Sequence, residues 1–560
     1  MKKRIRNLVA LLLVCLMVVS IASCNKTNDN GNTNNNTNNT TNDNSSNSNS
    51  NTDSNSSNSN DSSNTNTNAG DNSSNAGEQV SARDTLNVAT SGDSGTLLVS
   101  EMMGSFVGIA YQYMEVLVNY DMEGNFIWEL ATGIDEVSSS LWVIHLREGV
   151  TFSNGSKFDA KDVWFTFERY IYSPRGNWFL TCFDLDNSRI VDDYTIEIAL
   201  SQYSVQQMGS LCQIFIVDAE TFDEDDFAMN PVGTGPYVVT EYVMNSHVYM
   251  EARDDYWGGK PLIKNIHYRV INEDSQIVNA IEAGTLDIAA IPSQDREYVK
   301  SLPGFNVTEY YTVFVPTISF NMDMISVMSN LDARLAVCYA ADRQAMINLA
   351  YFGYGTVGTY PVSEHCYDYE PRFANLHPTY SVGRDLDLAK QHAEAAGLVG
   401  KDIIVITNGS SAYIASAEVL QANLKEIGVN LIINNYDGAT YMDASQDPTL
   451  FDMTMYAVAS PQCLAIGQLY EYILWGSAQY GSGGWAEFGD YIALGAAAVS
   501  EPDMAKRSDM LYQLSMMFMD ATPWYAIGDM TAAMGINSEL GGGEILGSGV
   551  MKYNTWYWKS

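Results

Sequence analysis

The chain has 560 residues, with 29 Lys and Arg against 67 Asp and Glu, a net charge of −38. So acidic a chain excludes a nucleic-acid-binding role, which requires a basic footprint. Once its N-terminal low-complexity part is set aside, about 480 residues remain, too many for one core, so at least two lobes are expected.

Lys2, Lys3, Arg4 and Arg6 precede the apolar run 8–19, which breaks at Ser20-Ile21-Ala22-Ser23-Cys24. A basic n-region, a short apolar segment and small residues before the cut read as a signal peptide over residues 1–23. Its removal takes away four basic groups and no acidic one, leaving a mature charge of −42. Residues 24–83 are nearly all Asn, Ser, Thr, Asp and Gly, without an aromatic side chain. Such a segment cannot bury enough apolar surface to offset its ordering entropy and is expected to be a disordered spacer. As a random coil it would hold the folded part about 40 Å from its attachment point. Cys182, Cys212, Cys338, Cys366 and Cys463 are odd in number and lack C-x-x-C spacing. They are read as buried free thiols, with one adventitious pair left open, and not as a zinc or disulfide framework.

Residues 85–89 read as an opening strand and 91–95, SGDSG, as the loop after it. The 141–146 run alternates as a strand partly covered on both faces. Ser153-Asn154-Gly155 turns the chain, and Asp159 stands as N-cap of a helix carrying Val163, Phe167 and Tyr170 on one face. Gly233, Gly235 and Pro236 shape a tight turn before the alternating strand 237–242. Ile277, Ala280 and Ile281 mark a helix that stops at Gly284, and a strand restarts at 286–288. After 318–323 come an apolar-faced helical region at 332–351, a loop at 353–361 and a short capped helix at 387–397. The strand 403–406, the helix 413–427 ending at Gly428 and the strand 429–433 form a crossover unit, which predicts a parallel pair with right-handed connection. A further strand at 451–458 leads into Ala459-Ser460-Pro461-Gln462, a loop that should open toward a ligand cleft.

Residue identities add to this pattern. HLREGVTFSNGSKFDAKDVWFTFER, 145–169, resembles the fingerprint of the bacterial extracellular solute-binding proteins of family 5, the oligopeptide- and dipeptide-binding group of ABC importers. NPVGTGPYVVTEY with RDDYWGG, IVNAIEAGTLDIA, ISFNMD, DARLAVCYAADR, SGGWAEFGD and ATPWYAI are similar to further segments of that family, so the resemblance covers nearly all of 84–560. It implies an α/β, two-lobed periplasmic-binding-protein-like fold of class II, or cluster C, with an extra subdomain in the first lobe and a hinge between lobes. The expected divisions are lobe 1 at 84–330 with an inserted subdomain at about 128–230, lobe 2 at 331–520, and a return to lobe 1 at 521–560. The segment before Cys24 resembles a lipobox, which makes Cys24 the lipid attachment point on the outer face of the cell membrane; two acyl chains anchor stably where one is marginal.

The implied function is non-enzymatic capture of a small solute, a peptide first of all, by a monomeric receptor that delivers it to ABC permease and ATPase subunits. Oligosaccharide-, nickel- or haem-binding receptors and a sensory subunit are the alternatives. The six histidines are scattered and no P-loop or G-x-S-x-G is present, so neither a catalytic residue, a metal site nor a cofactor is expected. In peptide-binding members an Asp in the loop after the 451–458 strand holds the ligand's amino group; here Ser460 or Pro461 stands there. The residues expected to face the cleft are Glu115, Asn321, Tyr456, Ser460 and Trp485, with Tyr111 and Tyr360 behind them. Glu115 is the candidate for the missing charge, while Val116 departs from the glycine of the family's Glu-Gly-Leu triplet. Asn321 is expected near the hinge, and the Arg343 and Asp342 pair and the Tyr256-Trp257 pair are read as structural.

Overall fold

The computed structural model describes residues 83–102, 106–121, 124–172, 180, 182–312, 314–459, 464–475, 484–546 and 549–559. The signal peptide, Cys24, the spacer, Cys463 and the 460–462 loop with Ser460 therefore lie outside the described residues.

The first lobe is organised by an eight-stranded mixed sheet. Its opening strand, Thr85–Thr90, pairs in parallel with Asn265–Val270 and with Ile288–Ala290. Across the sheet the order is Phe305–Tyr311, Gly528–Asn537, Ile288–Ala290, Thr85–Thr90, Asn265–Val270, His247–Ala252 and Tyr237–Val243, with Gly355–Val357 joined to Gly528–Asn537. Leu86, Val88, Tyr113, Val248 and Ile266 pack there against Trp556 and Trp558 from the end of the chain. The turn glycines are structural: a Cβ on Gly233 would sit 2.0 Å from the Tyr113 carbonyl oxygen, and one on Gly235 would sit 2.5 Å from the Tyr113 carbonyl carbon. Only glycine lets the chain pass that close.

The 141–172 stretch folds as its pattern predicts. Leu141–Leu146 buries Trp142, Ile144 and Leu146 and leaves the alternate side chains half-buried. Gly155 takes the turn at φ 88°. Asp159 Oδ1 accepts the Lys161 N–H at 2.7 Å while Asp162 Oδ2 accepts the Asp159 N–H at 2.8 Å, a reciprocal cap on the helix Ala160–Tyr172. The strand belongs to a separate four-stranded sheet in the order Ala131–Ser138, Leu141–Leu146, Thr195–Leu200, Phe183–Asp192. This is the inserted subdomain, and its core draws on residues from Leu117 to Ile216, a frame shifted toward the N-terminus from the expected one.

The second lobe carries a five-stranded sheet in the order Asn430–Asn435, Asp402–Thr407, Met453–Val458, Val315–Phe320, Trp524–Ala526. Asp402–Thr407 pairs in parallel with both Asn430–Asn435 and Met453–Val458. The helix Ser411–Glu426 makes the crossover and buries Ala417, Leu420 and Leu424. The 332–351 region is two helices, Leu331–Ala340 and Arg343–Ala350, because Asp342 turns the chain and accepts the Ala345 N–H at 2.9 Å. Arg343 does not pair with Asp342; it donates to the carbonyls of Gly358 at 2.7 Å and Ala526 at 3.0 Å.

At two places the chain passes directly from a strand of one sheet to a strand of the other. Phe305–Tyr311 lies in the first-lobe sheet and Val315–Phe320 in the second; Trp524–Ala526 lies in the second and Gly528–Asn537 in the first. The chain leaves the first-lobe sheet after Tyr311 and joins the second-lobe sheet at Val315, whereas the expected division stood at residue 330. Every residue of Val315–Phe320 is buried, and the strand is paired on both edges. The crossings bond to each other, Thr312 N–H to the Met530 carbonyl at 3.1 Å and Ile527 N–H to the Pro316 carbonyl at 2.8 Å. No helix among the described residues is long and apolar enough to cross a membrane.

Candidate functional site

In open α/β sheets a ligand gathers beyond the carboxyl ends of the parallel strands. In the second lobe those ends are Thr407, Asn435 and Val458. The antiparallel neighbour sets Val315 opposite Val458, and the chain entering Val315 comes from the first lobe. This end of the sheet thus lies beside the crossing between lobes.

Three tyrosines gather there. Tyr456 stacks on Tyr472 with ring centroids 6.3 Å apart and planes 15° from parallel. The backbone amides of Ala459 and Ala457 lie near the Tyr472 and Tyr413 hydroxyls and favour their ionised forms, against the effect of burial. Burial pushes the Tyr413 phenol up to about 12 and raises that of Tyr472. Both stay neutral at physiological pH. All three rings remain partly exposed, so they can present π-faces to a ligand.

Glu471 directly precedes Tyr472, at the end of the π-helical turn Gly467–Glu471. Such wide turns concentrate at functional positions. Burial lifts the Glu471 carboxyl from its ordinary 4.5 to about 7. Gln206, on the first-lobe insertion, is the one neighbour that favours its charged form. Its approach falls short of hydrogen-bond geometry: Gln206 is 7% exposed and its Nε2 is buried without a partner. The insertion is seated on the second lobe at this point, with Val205 N–H bonded to the Val499 carbonyl at 3.0 Å and Tyr203 beside Arg507. A second contact between lobes has Tyr367 donating to the Asp121 carbonyl at 3.3 Å, its ring edge-on to Tyr120.

Of the residues expected at the cleft, the structure places Tyr456 here, and Ser460 lies outside the described residues. The others are not brought to this place. Glu115 is fully buried and accepts from the Tyr256 hydroxyl at 2.7 Å and the Trp257 Nε1–H at 2.8 Å. Burial raises its carboxyl, with the Lys552 ammonium opposing. Tyr256 and Trp257 accordingly serve the fold. Asn321 spends its amide N–H groups on the carbonyls of Pro448 at 2.7 Å and Phe451 at 2.8 Å. Trp485 is buried in an aromatic cluster with Tyr491 and Phe518. Tyr111 donates to the Cys212 carbonyl at 3.1 Å, and Tyr360 shares a 2.6 Å hydrogen bond with Ser515. In this structure the polar groups or rings of Glu115, Asn321 and Trp485 are committed internally, and Tyr111 and Tyr360 are wholly internal as well.

Sequence reasoning missed Tyr413, Glu471, Tyr472 and Gln206. One signal was present, an acid flanked by tyrosines inside the apolar run LYEYILW. Among the described residues no three His, Cys, Asp or Glu side chains group to hold a metal ion. A cavity of about 30 Å³ under Leu98, Val99, Arg169 and Phe222 has room for roughly one water and lies within the first lobe.

Comparison with known proteins agrees with this architecture. Residues 125–462 match the model of bacterial extracellular solute-binding proteins, family 5 Middle. An ABC transporter peptide-binding protein of Brucella ovis is 24% identical over 353 residues, 59% of this chain and 64% of that protein; the chain thus spans less than two thirds of the length of that relative. Heme-binding protein A of Haemophilus influenzae is 24% identical over 426 residues, covering 69% of this chain and 75% of its own. The crystal structure of NikA from Brucella suis, in complex with Fe(III)-EDTA, superimposes with a TM-score of 0.76 at 20% identity, over 85% of this chain and all of that one. A family match over more than half of the chain, on a fold of two lobes doubly crossed, shows that this protein belongs to the bacterial extracellular solute-binding proteins of family 5.

Proposed function

We propose that the chain is the substrate-binding subunit of an ABC importer, capturing a small extracellular peptide between its lobes and passing it, chemically unchanged, to a permease driven by a separate ATPase. The observation that carries this reading is the half-open wall of Tyr413, Tyr456 and Tyr472, with Glu471 beside it, at the carboxyl end of the second-lobe sheet and against the first-lobe insertion. Tyrosine faces cover apolar side chains at low entropic cost, and a carboxylate suits the cationic end of a peptide. Two adjacent crossings give the lobes a natural hinge, and closure on a ligand follows from that layout. The ligand residues in this reading are Tyr413, Tyr456, Glu471 and Tyr472, with Ser460 proposed to join them from the sequence that follows the Met453–Val458 strand. Cys24 would carry the lipid, and the Asn-rich spacer would hold a monomeric receptor near the permease on the outer face of the membrane.

Equilibrium binding against peptide and oligosaccharide pools tests the reading. Saturable binding of peptides supports it, and binding of saccharides alone overturns it.

A further inference from the structure

We propose that the 363–368 segment of the second lobe, SEHCYD, is a latch on the first lobe, and that loss of the proton on Asp529, where the chain returns to the first-lobe sheet, loosens it. The latch acts in the unliganded protein, whichever ligand the cleft takes.

The segment is tied to its own lobe at both ends. The Ser363 N–H donates to the Gln468 Oε1 at 3.0 Å, and the Asp368 carboxylate accepts the Ala465 N–H at 2.6 Å. Between these ties Cys366 is buried, while His365 and Tyr367 stand outward and touch the first lobe. His365 stacks on Tyr311, the last residue of the first-lobe strand Phe305–Tyr311, with ring centroids 3.9 Å apart and planes 21° from parallel. Tyr367 lies edge-on to Tyr120 and against Gly124, where a Cβ would sit 3.0 Å from its ring.

Asp529 sits beneath the latch. It is the second residue of the returning strand Gly528–Asn537, 3% exposed, and pairs with the uncharged Thr356. Its Oδ2 accepts the Glu364 N–H at 3.3 Å, and its Oδ1 is buried without a hydrogen-bond partner. The titratable groups that face it belong to the latch and its continuation: Glu364, which accepts from the Thr359 hydroxyl, His365, and the Tyr369 phenol. Burial raises the Asp529 carboxyl above its ordinary 3.8 and the Glu364 charge adds to this, while the Ser363 hydroxyl, the Glu364 N–H and His365 oppose it.

Ionisation of Asp529 places a second negative charge beside Glu364 in a site where no donor reaches Oδ1, and such a charge is strongly disfavoured. Lifting the segment admits water and separates the two carboxylates. The seated latch therefore binds more protons than the lifted one. Its advantage is complete below the ordinary 3.8 and is lost as pH rises through the raised value. One linked proton makes the lifted fraction grow by up to about tenfold per pH unit. His365 and Tyr367 then leave the first lobe, and the hinge is freer to open on that side.

Hydrogen exchange read by mass spectrometry, on the full mature chain without ligand at about pH 5 and about pH 8, tests this. Protection factors, normalised to the intrinsic exchange rate, should fall about tenfold or more for the 363–368 amides between the two values and stay level for the helix Ser411–Glu426. Asp529→Asn, which keeps the shape without the charge, should hold the protection at both pH values, and Glu364→Gln should reduce the fall. Unchanged protection in the native protein, or an equal fall in Asp529→Asn and Glu364→Gln, overturns the latch and leaves the binding reading standing, since no ligand is used. The native arm needs no variant and Glu364→Gln alters only the segment itself, so misfolding of Asp529→Asn cannot mask the result.

Discussion

Glu471→Gln should make the unliganded protein more stable at about pH 8 and leave it nearly unchanged at about pH 5. The folded carboxyl titrates at about 7 against an ordinary 4.5 because burial disfavours its charge. The folded state therefore binds more protons than the unfolded chain between those values, and stability falls as pH rises through that window. The full penalty above it is about 3 kcal/mol, reduced to about 2 kcal/mol because the side chain keeps some contact with water. Glutamine keeps the shape and the hydrogen-bonding carbonyl without the charge. For a folded unit of this size the gain raises Tm by about 2 °C, measurable by scanning calorimetry at both pH values. Equal melting of variant and native protein at about pH 8 would refute the reasoning. So would the same gain at both pH values, since that would assign the effect to packing and not to charge.

Three further outcomes follow from the geometry. Lys552→Met strands the buried Glu129 carboxylate, whose Oε1 lies 2.6 Å from the ammonium; urea unfolding should show a loss of about 3–5 kcal/mol. Gly528→Ala drives a Cβ to 1.9 Å from the Thr356 carbonyl oxygen, at the strand that returns to the first lobe; a loss of about 2–4 kcal/mol is expected, read by the same denaturation. Cys182, Cys212, Cys338 and Cys366 are free and buried, and burial pushes the Cys338 thiol well above its usual range. In the native protein these four should resist Ellman's reagent and react once guanidinium unfolds it, which a thiol count before and after denaturation checks.

The parts of the fold that were legible are those whose signal is local. Leu141–Leu146 and its capped helix announce themselves by period, turn residues and Asp159, all within one stretch. The crossover through Ser411–Glu426 is as plain, because a Gly428 stop and two apolar runs bracket it. The hinge was not legible, since a crossing is defined by which sheet a strand joins. Val315–Phe320, VPTISF, is buried on both faces and shows no alternation to orient it. Glu115 misled for a related reason: the Tyr256 hydroxyl that satisfies it is 141 residues away, and nothing near Glu115 reports that partner.

Glu471 is the opposite case, a residue whose local sequence is in conflict with its setting. A carboxylate between two tyrosines in an apolar helical run should be disfavoured where helices pack, and the fold offers it neither a cation nor a backbone donor among the described residues. Natural sequences tolerate such local conflicts where function requires them, and elsewhere they are consistent across levels. The neighbouring violations have the same sense: a π-turn in place of regular helix, and a buried amide donor on Gln206 without an acceptor. Three departures from foldability converge on the carboxyl end of the second-lobe sheet, where the insertion of the first lobe meets it. Each is costly alone, and the Glu471 charge is the one that pH controls, which is why Glu471→Gln is expected to gain stability at about pH 8 and not at about pH 5.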